Sequence, residues 1–231
     1  MGTRAMRIVE RTRLIGPAAM LLLAMAGGGC TGARWMAYSM APDIKEKISA
    51  ECRLLYGQTV AVVVATNLMI DHDNPGLALD LSMKIAQELG QNVPKCRVVD
   101  ALKIVNFQSA NYGWRDMPKD QLAERLGANY VLLVTVNAFS TVDPMTRELS
   151  RGVMEAEAAL YSASRTALSP QVWQATGGLR AAYPSSQNTE GNITQEGPEK
   201  VRMELVNRFS VRLAKKFYDH HEPVERRDEL R

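Results

Sequence analysis

Asp71-His72-Asp73 is the one run in this chain with ligand chemistry, two carboxylates around an imidazole that could hold a cation or move a proton. It follows the apolar run Thr59 to Thr66 and so stands at the mouth of an expected parallel strand, where open α/β sheets bind ligands. A metal site usually takes roughly three or four placed ligands. No further histidine pattern accompanies the trio, so Asp71, His72 and Asp73 are weak candidates and the expected metal is none. The plainer reading is a polar turn carrying helix caps. Tyr112 and Trp114 flank Gly113 in a polar stretch and belong to the residue types that dominate binding hot spots, which makes them candidates for partner contact. Against this, a loop aromatic more often folds back to cover the core. His220-His221 falls in a charged tail and is expected to be solvated, and Asn192-Ile193-Thr194 matches a glycosylation acceptor that is common by chance. No nucleophile elbow, phosphate-binding glycine loop with lysine, HExxH or paired CxxC motif occurs, so neither a catalytic residue nor a cofactor is expected.

The elements that must position these residues are organised around Asp120 to Asn137. Leu122 and Leu126 fall on one helical face, Gly127 suits the left-handed conformation that ends a helix, and Tyr130 to Val136 is rich in β-favouring residues without a break. A strand apolar on both sides belongs inside a sheet covered by helices, and Thr59 to Thr66 has the same character. Between them, Asn74 and Pro75 read as the cap and first residue of a helix with the stripe Leu77, Leu81, Ile85 and Leu89, closed by Gly90. Arg97 to Val99 reads as a short strand, with Asp100 capping a weak helix. Parallel strands bring their carboxyl ends together, so the loops after Thr66 and Val99 should lie side by side and place Asp71, His72 and Asp73 near Asp100. Val153 to Ser162 alternates as a strand with one wet face, and Val172 to Tyr183 reads as its partner, with a glycine pair marking a bulge. From Pro198 a helix carries Val201, Leu205, Phe209, Leu213 and Phe217 in i+4 register. The expected fold is therefore an α/β (α+β) sandwich. Its mixed sheet has two central parallel strands and a C-terminal antiparallel meander, packed by helices that include a long C-terminal one.

At 231 residues and 46% hydrophobic content the chain is large enough for one domain with a proper core and an additional segment. That segment comes first. Arg4, Arg7, Arg11 and Arg13 precede the apolar run Leu14 to Ala26, which is shorter than the roughly 20 residues of a membrane span and ends in Gly27-Gly28-Gly29-Cys30. The layout is that of a secretory signal. Residues 1–29 set their four arginines against Glu10 and account for the whole formal charge of +3, leaving the rest of the chain near neutral. No electrostatic footprint for nucleic acid survives there, and contact with other proteins fits better. Export puts Cys52 and Cys96 in an oxidising compartment as an even pair once Cys30 is set aside, each shortly before a strand, so they form a possible disulfide. The other reading is two small buried thiols.

The Gly27-Gly28-Gly29-Cys30 junction resembles a bacterial lipoprotein signal, although Gly27 stands where that family usually has an aliphatic residue. The resemblance implies that Cys30 is diacylated on sulfur, becomes the new N-terminus and holds the chain to a membrane, with Thr31 favouring the outer membrane. The expected organisation is then a signal peptide over 1–29, a lipid-anchored tether with a short helix opened by Pro42 and carrying Ile44 and Ile48 over 30–50, one envelope domain over 51–219, and a frayed tail over 220–231. The order of elements, with VAVVV from Val60, RVVD from Arg97, LGANYVLLVTV from Leu126 and VW at Val172, resembles a superfamily of bacterial envelope domains. That superfamily unites the curli secretion lipoproteins, the penicillin-binding-protein activator lipoproteins and the amino-terminal domain of the Tol β-propeller protein. These are core and turn positions, so the resemblance speaks for fold. Three functions follow as expectations. The first is a non-catalytic, lipid-anchored protein at the periplasmic face of a membrane that binds another envelope protein, with palmitate-type acylation at Cys30. The second is an accessory subunit of a secretion or transport assembly, and the third is a periplasmic metal-dependent hydrolase centred on Asp71 and His72. Oligomeric state is not specified by any of them.

Overall fold

A computed structural model of the chain describes residues 45–142, 151–164, 169–184 and 196–223, and Lys47–His221 forms one compact unit. Cys30 and the apolar segment before it lie outside the described residues, as do Asn192 to Thr194. Strands β1 (Lys45–Ile48) and β8 (His220–Pro223) make a small two-stranded sheet. The main sheet is mixed. β2 (Thr59–Ala65) lies between β3 (Arg97–Val98) and β4 (Tyr130–Ser140), parallel to both, and β4 pairs antiparallel with β5 (Gly152–Ser162). β6 (Gln171–Gln174) and β7 (Leu179–Tyr183) lie end to end along the other edge of β5.

The two faces of this sheet carry separate cores. On one face Val60, Val62 and Val64 of β2 and Leu132, Val134 and Val136 of β4 pack against helices α2 (Leu77–Asn92) and α5 (Pro198–Ala214). The stripe Leu77, Leu81, Ile85, Leu89 and the stripe Val201, Leu205, Phe209, Leu213, Phe217 are buried there as their spacing requires. Phe217 belongs to the 3-10 turn that continues α5 and meets Trp173 edge-on, with ring centroids 4.8 Å apart. Gly152 opens β5 where this layer is tightest, for a Cβ there would stand 2.6 Å from Val201 Cγ1. On the opposite face Ala61, Val63 and Val131 pack against Ile104 of helix α3 (Ala101–Ala110), Trp114, and Leu122, Ala123 and Leu126 of helix α4 (Lys119–Leu126). Gly127 ends α4 at φ 69°, the left-handed geometry its type allows.

β2 sets the order of everything beside it. Its even-numbered carbonyls point away from β4, and β3 is only two residues long, so backbone donors reach just the first of them: Arg97 N donates to Gln58 O and Val99 N to Val60 O, both at 2.9 Å. Beyond that point side chains take over. Ser82 Oγ of α2 donates to Val62 O at 2.8 Å, Gln108 Nε2 of α3 to Val64 O at 3.2 Å, and Arg115 Nη2 to Thr66 O at 2.6 Å. A buried carbonyl left without a donor costs about 1–3 kcal/mol, so these bonds close a row that no strand covers.

Several local expectations are corrected. Val98 is level with Val60 and Val99 N bonds Val60 O, so β3 ends well short of Thr66 and the loops after β2 and β3 are not neighbours; at about 3.3 Å per residue the strand separates them by roughly 16 Å. Asp71, His72 and Asp73 are therefore remote from Asp100, which caps α3 by accepting from Leu102 N. The expected turn after Thr66 is a helix, α1 (Leu68–Asp73), because Asn67 Oδ1 accepts from Ile70 N at 2.8 Å; Gly76, not Asn74, stands before α2. Gly90 does not close α2, which runs on to Asn92. Val172 to Tyr183 is two strands, since Gly177 and Gly178 both take positive φ between them. Lys45–Ile48 is an exposed strand where a short helix was expected, and His220–Pro223 is a strand where the tail was expected to fray. Two strand-length polar segments satisfy their backbone in each other, whereas an isolated helix that short does not nucleate.

In this structure Cys52 and Cys96 are free thiols. Both behave as small apolar side chains: Cys52 is buried in the larger core and Cys96 packs against it. Burial pushes both thiols up, Cys96 to about 11, so both stay protonated near neutrality.

Two measurements test this packing. Alkylation at pH 8 without reductant should leave Cys52 and Cys96 unmodified in the native chain and label both in denaturant; failure of the pair to label in denaturant would reveal a bridge. In urea unfolding, Ser82→Ala should cost about 1–3 kcal/mol because it strands Val62 O. Ser210→Ala should be neutral or stabilising, since Ser210 Oγ is buried with no hydrogen-bond partner.

Candidate functional site

The carboxyl end of β2 is where chemistry-bearing and exposed apolar residues gather. Asn67 caps α1, and Ile70, the buried residue of that helix, turns it down onto the core. Thr66 Oγ1 donates to Asp71 Oδ1 across the first turn, so one oxygen of the trio's first carboxylate already serves the fold. From the other face of the sheet, α3 ends where Asn111 Nδ2 donates to Phe107 O at 2.8 Å, and the chain winds through the 3-10 turn Tyr112–Arg115. Trp114 in that turn is 7% exposed and fills the smaller core, with the Arg115 guanidinium 5.4 Å from its ring centroid. The same guanidinium donates to Thr66 O and so ties the turn to the end of β2.

Three apolar side chains stand exposed in the two segments that this tie joins. Tyr112 is 94% exposed, Leu68 88% and Met69 74%, the highest values among the large hydrophobics of the described residues. They stand in the first turn of α1 and in the 3-10 turn, on either side of Thr66. Tyr112 and Trp114 thus part company: only Tyr112 is available to a partner, while Trp114 is structural, as the spacing of a short turn sends alternate side chains to opposite sides. Leu68 and Met69 were missed in the sequence because they read as part of a polar loop. The available signal was two large apolar residues between an Asn cap and a third apolar residue, Ile70, of which so short a helix can bury only one.

Asp71, His72, Asp73 and Asp116 are exposed here, and so is Arg115, while Lys119 is half-buried. Arg115 is engaged as described, and Lys119 Nζ donates to Arg115 O at 2.7 Å and Met117 O at 3.2 Å. Desolvation holds Lys119 below the usual lysine range, opposed by the charge of Asp116. As a metal site the trio is unsuited. Successive helical residues splay about 100° apart, so Asp71, His72 and Asp73 cannot converge on one point, and among the described residues no group of three or more His, Cys, Asp or Glu side chains is placed to hold an ion. A groove of about 470 Å³ lies between α2 and α5. Within it Arg202 Nη2 meets Asp80 Oδ2 at 2.5 Å and donates to Pro75 O at 3.1 Å.

No family model matches this chain, and no curated protein matches it. Solved structures do. A PelC dodecamer from Paraburkholderia phytofirmans is 14% identical over 75% of this chain and 97% of its own, at a TM-score of 0.40. Lipoprotein GNA1162 from Neisseria meningitidis is 14% identical over 68% of this chain and 97% of its own, at 0.42. A putative lipoprotein from Caulobacter crescentus is 12% identical over 67% of this chain and 82% of its own, at 0.31. Similarity at this level assigns neither a family nor a function.

Proposed function

We propose that this chain is a non-catalytic, lipid-anchored protein of the bacterial cell envelope whose α/β domain is a protein-interaction module working through the Thr66 edge. The observation that carries the reading is the exposure of Leu68, Met69 and Tyr112 in two segments that Arg115 ties together. Large apolar side chains left in water on hydrogen-bonded turns fit a surface that is covered in use. The anchor rests on the N-terminal sequence: arginines, a short apolar run, small residues and Cys30, with Thr31 favouring the outer membrane and the domain on its periplasmic side. A role as accessory subunit of a secretion or transport assembly is a narrower form of the same interaction.

Location and interaction are tested separately. Cys30→Ser should release the protein to the soluble periplasmic fraction or leave it unprocessed, because stable anchoring needs more than one lipid chain or signal; unchanged membrane association would refute the anchor. A photo-crosslinking residue in place of Tyr112 should give a discrete protein adduct in intact cells, and the same residue in place of exposed Gln121 should not. Equal labelling from both positions, or none from Tyr112, would remove the interaction module.

A further inference from the structure

β2 is not the only strand whose outward carbonyls are taken by side chains; β7, at the other side of the sheet, is closed in the same way by one helix. We propose that Arg208 and Arg212 of α5 are a guard on β7, holding shut an edge that would otherwise pair with β7 of a second copy. The guard is independent of the Thr66 edge and of any partner that edge takes.

The ladder fixes which way the backbone of β7 points. Ala175 N donates to Ala158 O at 2.9 Å, so Ala158 of β5, and with it Ala156, Met154 and Gly152, bonds toward the side of β6 and β7. Their partners Leu179, Ala181 and Tyr183 face β5, and the N–H and C=O groups of Arg180 and Ala182 face away from it. Among the described residues no strand lies beyond β7. Both outward carbonyls are nonetheless occupied, because Arg208 Nη1 donates to Ala182 O at 3.3 Å and Arg212 Nη1 to Arg180 O at 2.7 Å.

The two arginines match this row in pitch. Four residues of helix rise about 6 Å and two residues of strand about 6.6 Å, so donors four apart on α5 fall on carbonyls two apart on β7, one each. Arg208 is steadied from both flanks. Its guanidinium lies 4.7 Å from the Tyr183 ring centroid, and its Nε is 3.8 Å from Glu204 Oε2. The Tyr183 hydroxyl donates in turn to Glu196 Oε2 at 2.6 Å, and the other oxygen of Glu196 pairs with Lys200 in the first turn of α5.

Regularity is what makes β7 the edge in need of cover. β6 lies along the same side of β5 but has four residues and a register shift opposite Leu160 and Tyr161, and short or bulged strands recruit others poorly. β7 keeps strict register over all five of its residues. A second copy turned about a two-fold axis through Ala181 would set Arg180 of one chain opposite Ala182 of the other. Both outward N–H and both outward C=O groups of each copy would then be bonded, with the two Arg180 side chains not directly opposed.

Sedimentation velocity of the full chain in detergent, at rising concentration, tests the guard. Arg208→Ala combined with Arg212→Ala should form a species of about twice the wild-type protein mass. Arg208→Lys combined with Arg212→Lys keeps a donor for each carbonyl and should sediment as wild type. Adding Ala182→Pro to the alanine pair should abolish the new species, because it removes an outward N–H that the pairing needs and none that the ladder to β5 uses. Circular dichroism of the alanine pair should match wild type. Wild-type sedimentation of the alanine pair, equal association of the lysine pair, or persistence of the new species in the proline variant would overturn the proposal. Unfolding of the alanine pair would overturn it as well, since the arginines would then support the fold and not guard its edge.

Discussion

The outward carbonyl row of β2 is the constraint on which the rest of the structure depends. A strand buried on both faces has no water to satisfy its backbone, and β3 supplies donors only as far as Val60. Three elements distant in sequence then contribute one side chain each to the carbonyls that follow. Ser82 comes from the helix layer on one face, Gln108 and Arg115 from the layer on the other. Each bond is worth about 1 kcal/mol net. Their larger effect is positional, since a donor that must reach one particular carbonyl fixes how far along β2 its helix sits. Such side chains also deny the strand's edge to foreign strands, which is how exposed edges become hazardous.

The sheet itself changes character along its width. β2 is buried on both sides, whereas β5 alternates a buried residue with exposed Glu155 and Glu157. Helices α3 and α4 cover one face from β2 to the end of β5, and α2 and α5 cover the other. The β-bulge at Asn137, between the pairs Val136 with Ala156 and Ala138 with Glu155, reverses the alternation of β4. Val136 and Phe139 thereby both face the larger core, where an unbroken strand would have turned Phe139 to solvent.

The same bracing that completes β2 exposes the Thr66 edge. Arg115 ends the carbonyl row and in doing so ties the turn that bears exposed Tyr112 to Thr66, the residue before α1 and its cap Asn67. A loop-borne surface on a rigid scaffold is the usual place for function in α/β folds, and the interaction proposed for the Thr66 edge would use that position.

Much of the fold was legible in the sequence because it is written in periodicity. The i+4 stripes of α2 and α5, the apolar runs of β2 and β4, the wet alternation of β5 and the glycine after α4 each record a local demand that burial or backbone geometry places on consecutive residues. The site was legible only in part, as Tyr112 without Leu68 or Met69. The length of β3, the reach of Ser82, Gln108 and Arg115 to β2, and the separation of Tyr112 from Trp114 were decided by tertiary structure. None has a signature in spacing, because a hydrogen bond across 20 to 49 residues depends on where two elements meet and not on what precedes either of them. For the same reason Asp71, His72 and Asp73, adjacent in sequence, diverge in space, while Thr66 and Arg115, far apart in sequence, make the contact on which the edge is built.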